Sequence, residues 1–155
     1  MTRITTTVAS LPAAILRPAE LPAKDRGNGA STVALVTGRL GSTGFLNGIT
    51  TFAPGAAIGH HSHNCLESVV VIEGTAIVDI DGTEYPLETY DTTFVPANIV
   101  HRFRNASDTA PMKILWTYAS IDATRTLAAT GETGRIDDEE ARPGADEPAQ
   151  EGAQR

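Results

Sequence analysis

Three of the chain's four histidines and one glutamate fall within eight residues, His60 to Glu67, in the stretch GAAIGHHSHNCLESVVVIEG. The fourth histidine, His101, comes 34 residues after Glu67, in VPANIVHRFRN. On an extended strand alternate side chains face one way, so His61 and His63 can present two imidazoles to one point while His60 and Ser62 face elsewhere. Glu67 follows the turn-length spacer Asn64-Cys65-Leu66 and can return to that point from the next strand. His101 has to be delivered by a separate hairpin. Three neutral imidazoles and a carboxylate suit one divalent first-row metal ion, and four protein donors leave one or two octahedral positions for water, substrate or dioxygen. The hard carboxylate favours Fe or Mn, while Ni, Cu or Zn fit the same donors. His60 reads as an ordinary surface or core histidine, and Cys65 as a small turn residue rather than a thiol nucleophile or ligand.

The elements that must position these residues read as short strands. Thr32 to Thr37, Gly44 to Phe52, Glu67 to Ile72, Thr75 to Ile80, Thr83 to Leu87, Thr92 to Val95, Ile99 to Phe103 and Met112 to Tyr118 are β-rich runs bounded by turn residues. Asp81-Gly82 is the strongest hairpin signal, because a two-residue turn needs positive φ at both positions. With eight or nine such strands and no helical stripe before residue 119, an all-β antiparallel sandwich or barrel is expected. Residues 1–30, rich in Thr, Pro, Ala and Gly, read as an extended arm, and 31–120 as the barrel. Residues 121–136 read as a short helix, with Asp122 capping 122–130, or as a lid. The acidic stretch 137–155 reads as a disordered tail.

Strand alternation also selects pocket residues. Phe103 shares parity with His101, and Trp116 shares it with Tyr118, so Phe103 and Trp116 are expected to bind substrate. Tyr118, Tyr85, or Glu67 released from the metal, are the groups able to move a proton. Arg102 and Arg104 have the opposite parity to His101 and are expected to face outward.

Composition narrows the function classes. The 155 residues are 41% hydrophobic and 20% charged, which fits one globular domain. The formal charge of −7 is concentrated at the C-terminal end: residues 137–155 hold seven acids and two arginines, leaving only −2 on the rest. No basic patch is present for a phosphate backbone, so nucleic acid is not an expected partner. No apolar run reaches the roughly 18 residues of a membrane span. A single cysteine excludes an internal disulfide and fits a reducing, cytoplasmic setting.

The spacing of the two clusters resembles the cupin superfamily. Gly55, His61, His63, Glu67 and Gly74 match its first motif at every position. Pro96, Asn98, His101 and Asn105 are similar to its second, with Tyr90 and Asn98 where the family usually has glycine. The resemblance spans about residues 33–118. It implies a jelly-roll β-barrel with His61, His63, Glu67 and His101 as ligands of one divalent metal ion per chain, and a homodimer. It also points to an enzyme acting on a small organic substrate, with a quercetin-dioxygenase-like dioxygenase as the first expectation; Glu67 and Tyr118, chosen above for proton transfer, are the expected catalytic groups. A redox-neutral isomerase, lyase or cyclase is the alternative, and a non-catalytic small-molecule binding module the third reading.

Overall fold

Along Leu46–Phe52 and Met112–Tyr118, and from Glu67 to Val71, every second residue is buried. A period of two with one face buried specifies strands packed against a second layer. The computed structural model, which describes residues 12–139, has that architecture: two antiparallel six-stranded sheets laid face to face.

With strands numbered in chain order, the first sheet runs β1 (Lys24–Gly27), β2 (Ala30–Ala34), β3 (Leu46–Phe52), β10 (Met112–Tyr118), β5 (Glu67–Glu73) and β8 (Thr92–Val95). The second runs β12 (Thr133–Arg135), β11 (Thr124–Leu127), β4 (His61–His63), β9 (His101–Asn105), β6 (Ala76–Ile80) and β7 (Thr83–Leu87). Between them lies a core built around Phe52, Val69, Val71, Val78, Phe103 and Met112, each no more than 1% exposed. Consecutive strands such as β4 and β5 fall in different sheets, so the chain crosses the core repeatedly, as in a jelly roll.

Turn chemistry fixes the register. Asp81 (φ 53°) and Gly82 (φ 87°) form the two-residue turn joining β6 to β7, and Ile80 pairs with Thr83 across it. Asn98 (φ 67°) and Tyr90 (φ 77°) occupy the left-handed region at the two positions where the resemblance has glycine. The turn is therefore retained at Tyr90 despite its side chain: Asp91 N–H closes it on the Glu88 carbonyl at 3.0 Å, and Tyr90 N–H ties it to the Val71 carbonyl of β5 at 2.6 Å.

Three expectations require correction. The helix over 122–130 is a strand: β11 pairs with β4 on one side and β12 on the other, and Asp122 forms an ion pair with Arg135 at 3.0 Å rather than capping a helix. An uncovered edge on β4 would leave backbone donors and acceptors unmatched beside the histidines, and pairing overrides the local helical preference. Part of the expected arm is ordered, with a 3-10 turn at Pro18–Glu20 and β1 on the sheet edge, while residues 1–11 lie outside the described residues. Of the expected tail, 137–139 belong to the single helical turn α1 (Ile136–Glu139), and the remainder lies outside the described residues.

Candidate metal centre

His61 and His63 project inward from β4, His101 from the start of β9 and Glu67 from the start of β5 in the opposite sheet. His61 and His101 are direct cross-strand partners. Glu67 arrives through the Asn64-Cys65-Leu66 turn, and the Asn98 N–H donates to the His63 carbonyl at 2.7 Å, tying the turn before β9 to β4. All four residues are at most 3% exposed, and their potential ligand atoms lie within 4.8 Å of one another. Donors about 2.0–2.3 Å from one centre would produce a spread close to this.

Each imidazole is oriented by the backbone. Nδ1 of His61 donates to the Gly59 carbonyl at 2.7 Å, Nδ1 of His63 to Thr124 at 3.0 Å and Nδ1 of His101 to Ile99 at 2.8 Å. A carbonyl only accepts, so these bonds place the proton on Nδ1 and the lone pair on Nε2, the tautomer a metal requires. Nε2 of His63 lies 3.2 Å and Nε2 of His101 2.9 Å from the Glu67 carboxylate oxygens. Yet neither Nε2 nor Glu67 Oε1 makes a hydrogen bond, although all three are buried. Two lone-pair atoms held that close repel unless a positive charge lies between them, and a metal ion supplies it. The donor set thus fits one metal ion.

Without an ion, burial and the mutual fields of the four groups set their charges. Burial raises the Glu67 carboxyl, but the facing His101 and His63 imidazoles outweigh it and hold the group far below the usual carboxylate range. Burial, reinforced by His63, His101 and Arg125, drives His61 well below the ordinary histidine value. Burial also opposes protonation of His101, but the Glu67 carboxylate prevails and raises it.

The cluster opens on a cavity of about 30 Å³ lined by His61, Glu67, Phe103, Trp116, Tyr118 and Arg125, with further walls from other strands. The structure thus brings Tyr118, Phe103 and Trp116 to the site. The Tyr118 ring lies 4.5 Å from that of His63 and 5.0 Å from that of Trp116. Trp116 is fixed by Nε1 donating to Thr50 Oγ1 at 3.0 Å. Gly48 makes room for the indole: a Cβ there would fall 2.3 Å from it.

Other candidates lie elsewhere. His60 Nε2 pairs with Asp79 at 3.0 Å, Cys65 packs against the core with its thiol pushed up by burial, and Tyr85 is about half exposed on β7. Arg104 binds Glu84 at 3.1 Å, outside the cavity. Sequence reasoning missed Arg125 and Arg26. Arg125 lies opposite His63 in the β11–β4 register and is 3% exposed. Arg26, on β1, lines the same cavity and donates from Nη1 to Thr32 Oγ1 at 3.1 Å. The signal for Arg125 was the alternation of Thr124, Arg125 and Thr126, which the helical reading obscured.

The family model for the cupin domain matches residues 48–118. The tetracenomycin polyketide synthase protein TcmJ of Streptomyces glaucescens is 30% identical over 113 residues, 72% of this chain and 71% of that protein. The chain belongs to the cupin family. This cupin is also 35% identical over 88 residues to the polyketide synthase CurC of Streptomyces cyaneus, covering 56% of each chain, so it spans little more than half of that relative's length. Among solved structures, an RmlC-like cupin from Shewanella frigidimarina shares the fold, with a TM-score of 0.61 and 21% identity over 70% of this chain and 92% of that one.

Proposed function

We propose that this cupin is a redox-neutral, metal-dependent enzyme that closes a ring in a small polyketide-type substrate. The observation that carries the reading is its likeness to polyketide synthase proteins, joined to a donor cluster that opens on an aromatic wall. Polyketide chains are runs of 1,3-dicarbonyl units, whose methylene protons are acidic and whose carbonyls accept carbon nucleophiles. A divalent ion held by His61, His63, Glu67 and His101 would supply Lewis acidity to such carbonyls. The reading needs no redox-active metal, so the preference for Fe or Mn falls away and Zn or Ni serves as well.

The chain's own residues supply the remainder. Trp116 and Phe103, held in place by strand packing, hold a flat substrate and exclude water. Tyr118, beside His63, is placed to exchange a proton with the substrate. In an intramolecular aldol condensation a methylene C–H bond breaks, a C–C bond forms to a second carbonyl and its oxygen takes up the proton; loss of the second methylene proton together with that hydroxyl then releases water and leaves a C=C bond. A cavity of about 30 Å³ has room for only two or so water molecules, so a substrate must displace a wall. Arg26 on β1 and Ile136 on α1 contribute walls from outside the central strands.

The test is product analysis of the metal-reconstituted protein with a synthetic triketone, under nitrogen and in air. Equal ring closure in both, without oxygen uptake, is expected. Product only in air, with stoichiometric oxygen consumption, would replace this reading with the dioxygenase.

We also propose that two copies pair through the outer face of the first sheet. Val33, Ile49, Leu115 and Val70 form a half-buried apolar row across four strands, and Phe94 on neighbouring β8 is 67% exposed. A two-fold contact would set this row against itself. A Phe94→Glu protein that sediments as a monomer while the wild type sediments as a dimer is the expected outcome. A monomeric wild type would remove the proposal.

A further inference from the structure

We infer that residues 133–137 form a gate over the donor cavity, with Ile136 as its plug: closed at rest, the segment peels from β11 to admit substrate to the cluster. This rests on the ring-closing reading only in taking the cavity as a substrate site.

The first ground is the need for a moving wall. The cavity beside the cluster measures about 30 Å³, and Glu67, Phe103 and Trp116 in its lining are all buried. Whatever organic molecule binds there has to displace part of that lining.

The second ground is which part can move. β3, β4, β5, β9 and β10, which supply most of the lining, each pair with a strand on both sides, so displacing any of them breaks two ladders. Arg125 stays with β11, which keeps its pairing to β4 when β12 departs. Arg26 is anchored: Nη1 donates to Oγ1 of the buried Thr32 at 3.1 Å, and it has a further interaction within the chain. Ile58 is tied to β9 by its N–H, which donates to the Phe103 carbonyl. Ile136 is placed differently. It lies outside both sheets on the single turn α1, behind a strand paired on one side only, in which Arg135 faces Thr124, Gly134 faces Arg125 and Thr133 faces Thr126. Four residues do not sustain a helix alone, so α1 follows β12. Gly131, at φ 72° between β11 and β12, supplies the hinge.

The third ground is how the closed position is held. Ile136 is buried in the core, and its N–H donates to the Ala123 carbonyl at 2.9 Å. The polar fastenings of the segment lie further out. Arg135 donates from Nη1 to Asp122 and from Nε to Asp137, each at 3.0 Å, and Thr126 Oγ1 lies 2.7 Å from Thr133 Oγ1. The Arg135 and Asp122 side chains are 42% and 70% exposed, so water replaces their bond readily. Asp137 has a further interaction within the chain, which adds to the closed position. One buried apolar plug on a segment fastened largely at the surface opens locally, at less cost than any central strand.

The experiment is acrylamide quenching of Trp116, the single tryptophan and part of the cavity lining, in the full-length, Zn²⁺-reconstituted protein. Arg135→Gln, which unfastens the segment and leaves the cavity wall intact, is expected to raise the quenching constant about two- to fivefold, the effect of losing exposed ion pairs on an opening equilibrium. The complementary protein carries Thr124→Cys and Arg135→Cys, directly opposed on β11 and β12 and so within reach of a disulfide. Oxidised, it should be quenched less than wild type; reduced with a phosphine, more. The oxidised form should also take up acetylacetone, followed by Trp116 emission, about tenfold or more slowly than the reduced form. Equal quenching of the oxidised form and wild type overturns the inference, and decides the matter even if Arg135→Gln does not fold. Equal uptake of acetylacetone by the oxidised and reduced forms overturns it too, since another wall then moves. Quenching that responds to the disulfide, without turnover of the triketone in any form, overturns ring closure instead.

Discussion

Each imidazole of the cluster has its Nδ1 proton committed to a main-chain carbonyl, so the metal-facing nitrogens are set before any ion arrives. Removing one donor should therefore empty the site rather than rearrange it. His101→Ala is expected to lower metal affinity by on the order of 100-fold or more, read as metal content per chain after purification without chelator; full occupancy would exclude His101 as a ligand. The four donors were legible in the sequence because two motifs fix their spacing, whereas Arg125 was not, because its parity matters only once β11 is known to be a strand. Tyr90 is the opposite case, a residue that departs from the pattern while its backbone keeps to it, at φ 77°. A left-handed conformation costs an L-residue about 1–2 kcal/mol, and glycine loses about 0.5–1 kcal/mol more backbone entropy on folding. Tyr90→Gly should then stabilise the protein by roughly 0.5–1 kcal/mol in urea unfolding. A loss of stability would show that the Tyr90 side chain makes contacts worth more than the strain.

Among the elements, β7, β8 and β10 begin and end where the sequence placed them: alternation with one buried face leaves little choice for central β10, while turn residues bound the edge strands β7 and β8. The opposite edges, β1 and β12, were not legible. Lys24–Gly27 and Thr133–Arg135 carry almost no apolar pattern, and each is held on one side only, β1 by β2 and β12 by β11. Packing between elements also explains Gly48 on β3, which leaves space for the Trp116 indole crossing from β10 and lies close to the Val33 carbonyl. Gly48→Ala is expected to cost about 1–3 kcal/mol and to push the indole toward the donor cluster. Trp116 is the chain's single tryptophan, so its emission reports this directly. An unchanged spectrum with unchanged stability would mean that β3 can shift away at little cost.

For the whole molecule, the donor cluster joins the two sheets, with Glu67 in one and the three histidines in the other. A bound ion therefore links the layers. At a hundredfold excess over its dissociation constant it adds about 2.7 kcal/mol. Chelation should accordingly lower the unfolding temperature by roughly 5–10 °C for a domain of this size, and scanning calorimetry with and without EDTA measures it. No shift would place the ion outside the sheet junction. The pairing of β11 with β4 has a further consequence, for the order in which the protein matures. The carbonyl that orients His63 belongs to Thr124, 61 residues further along the chain. During synthesis all four donors leave the ribosome well before that carbonyl does, so the centre remains unfinished until almost the whole barrel has emerged. Loading of an ion would thereby wait until β11 has emerged, and a fragment ending at residue 118, though it holds every donor, should take up metal poorly.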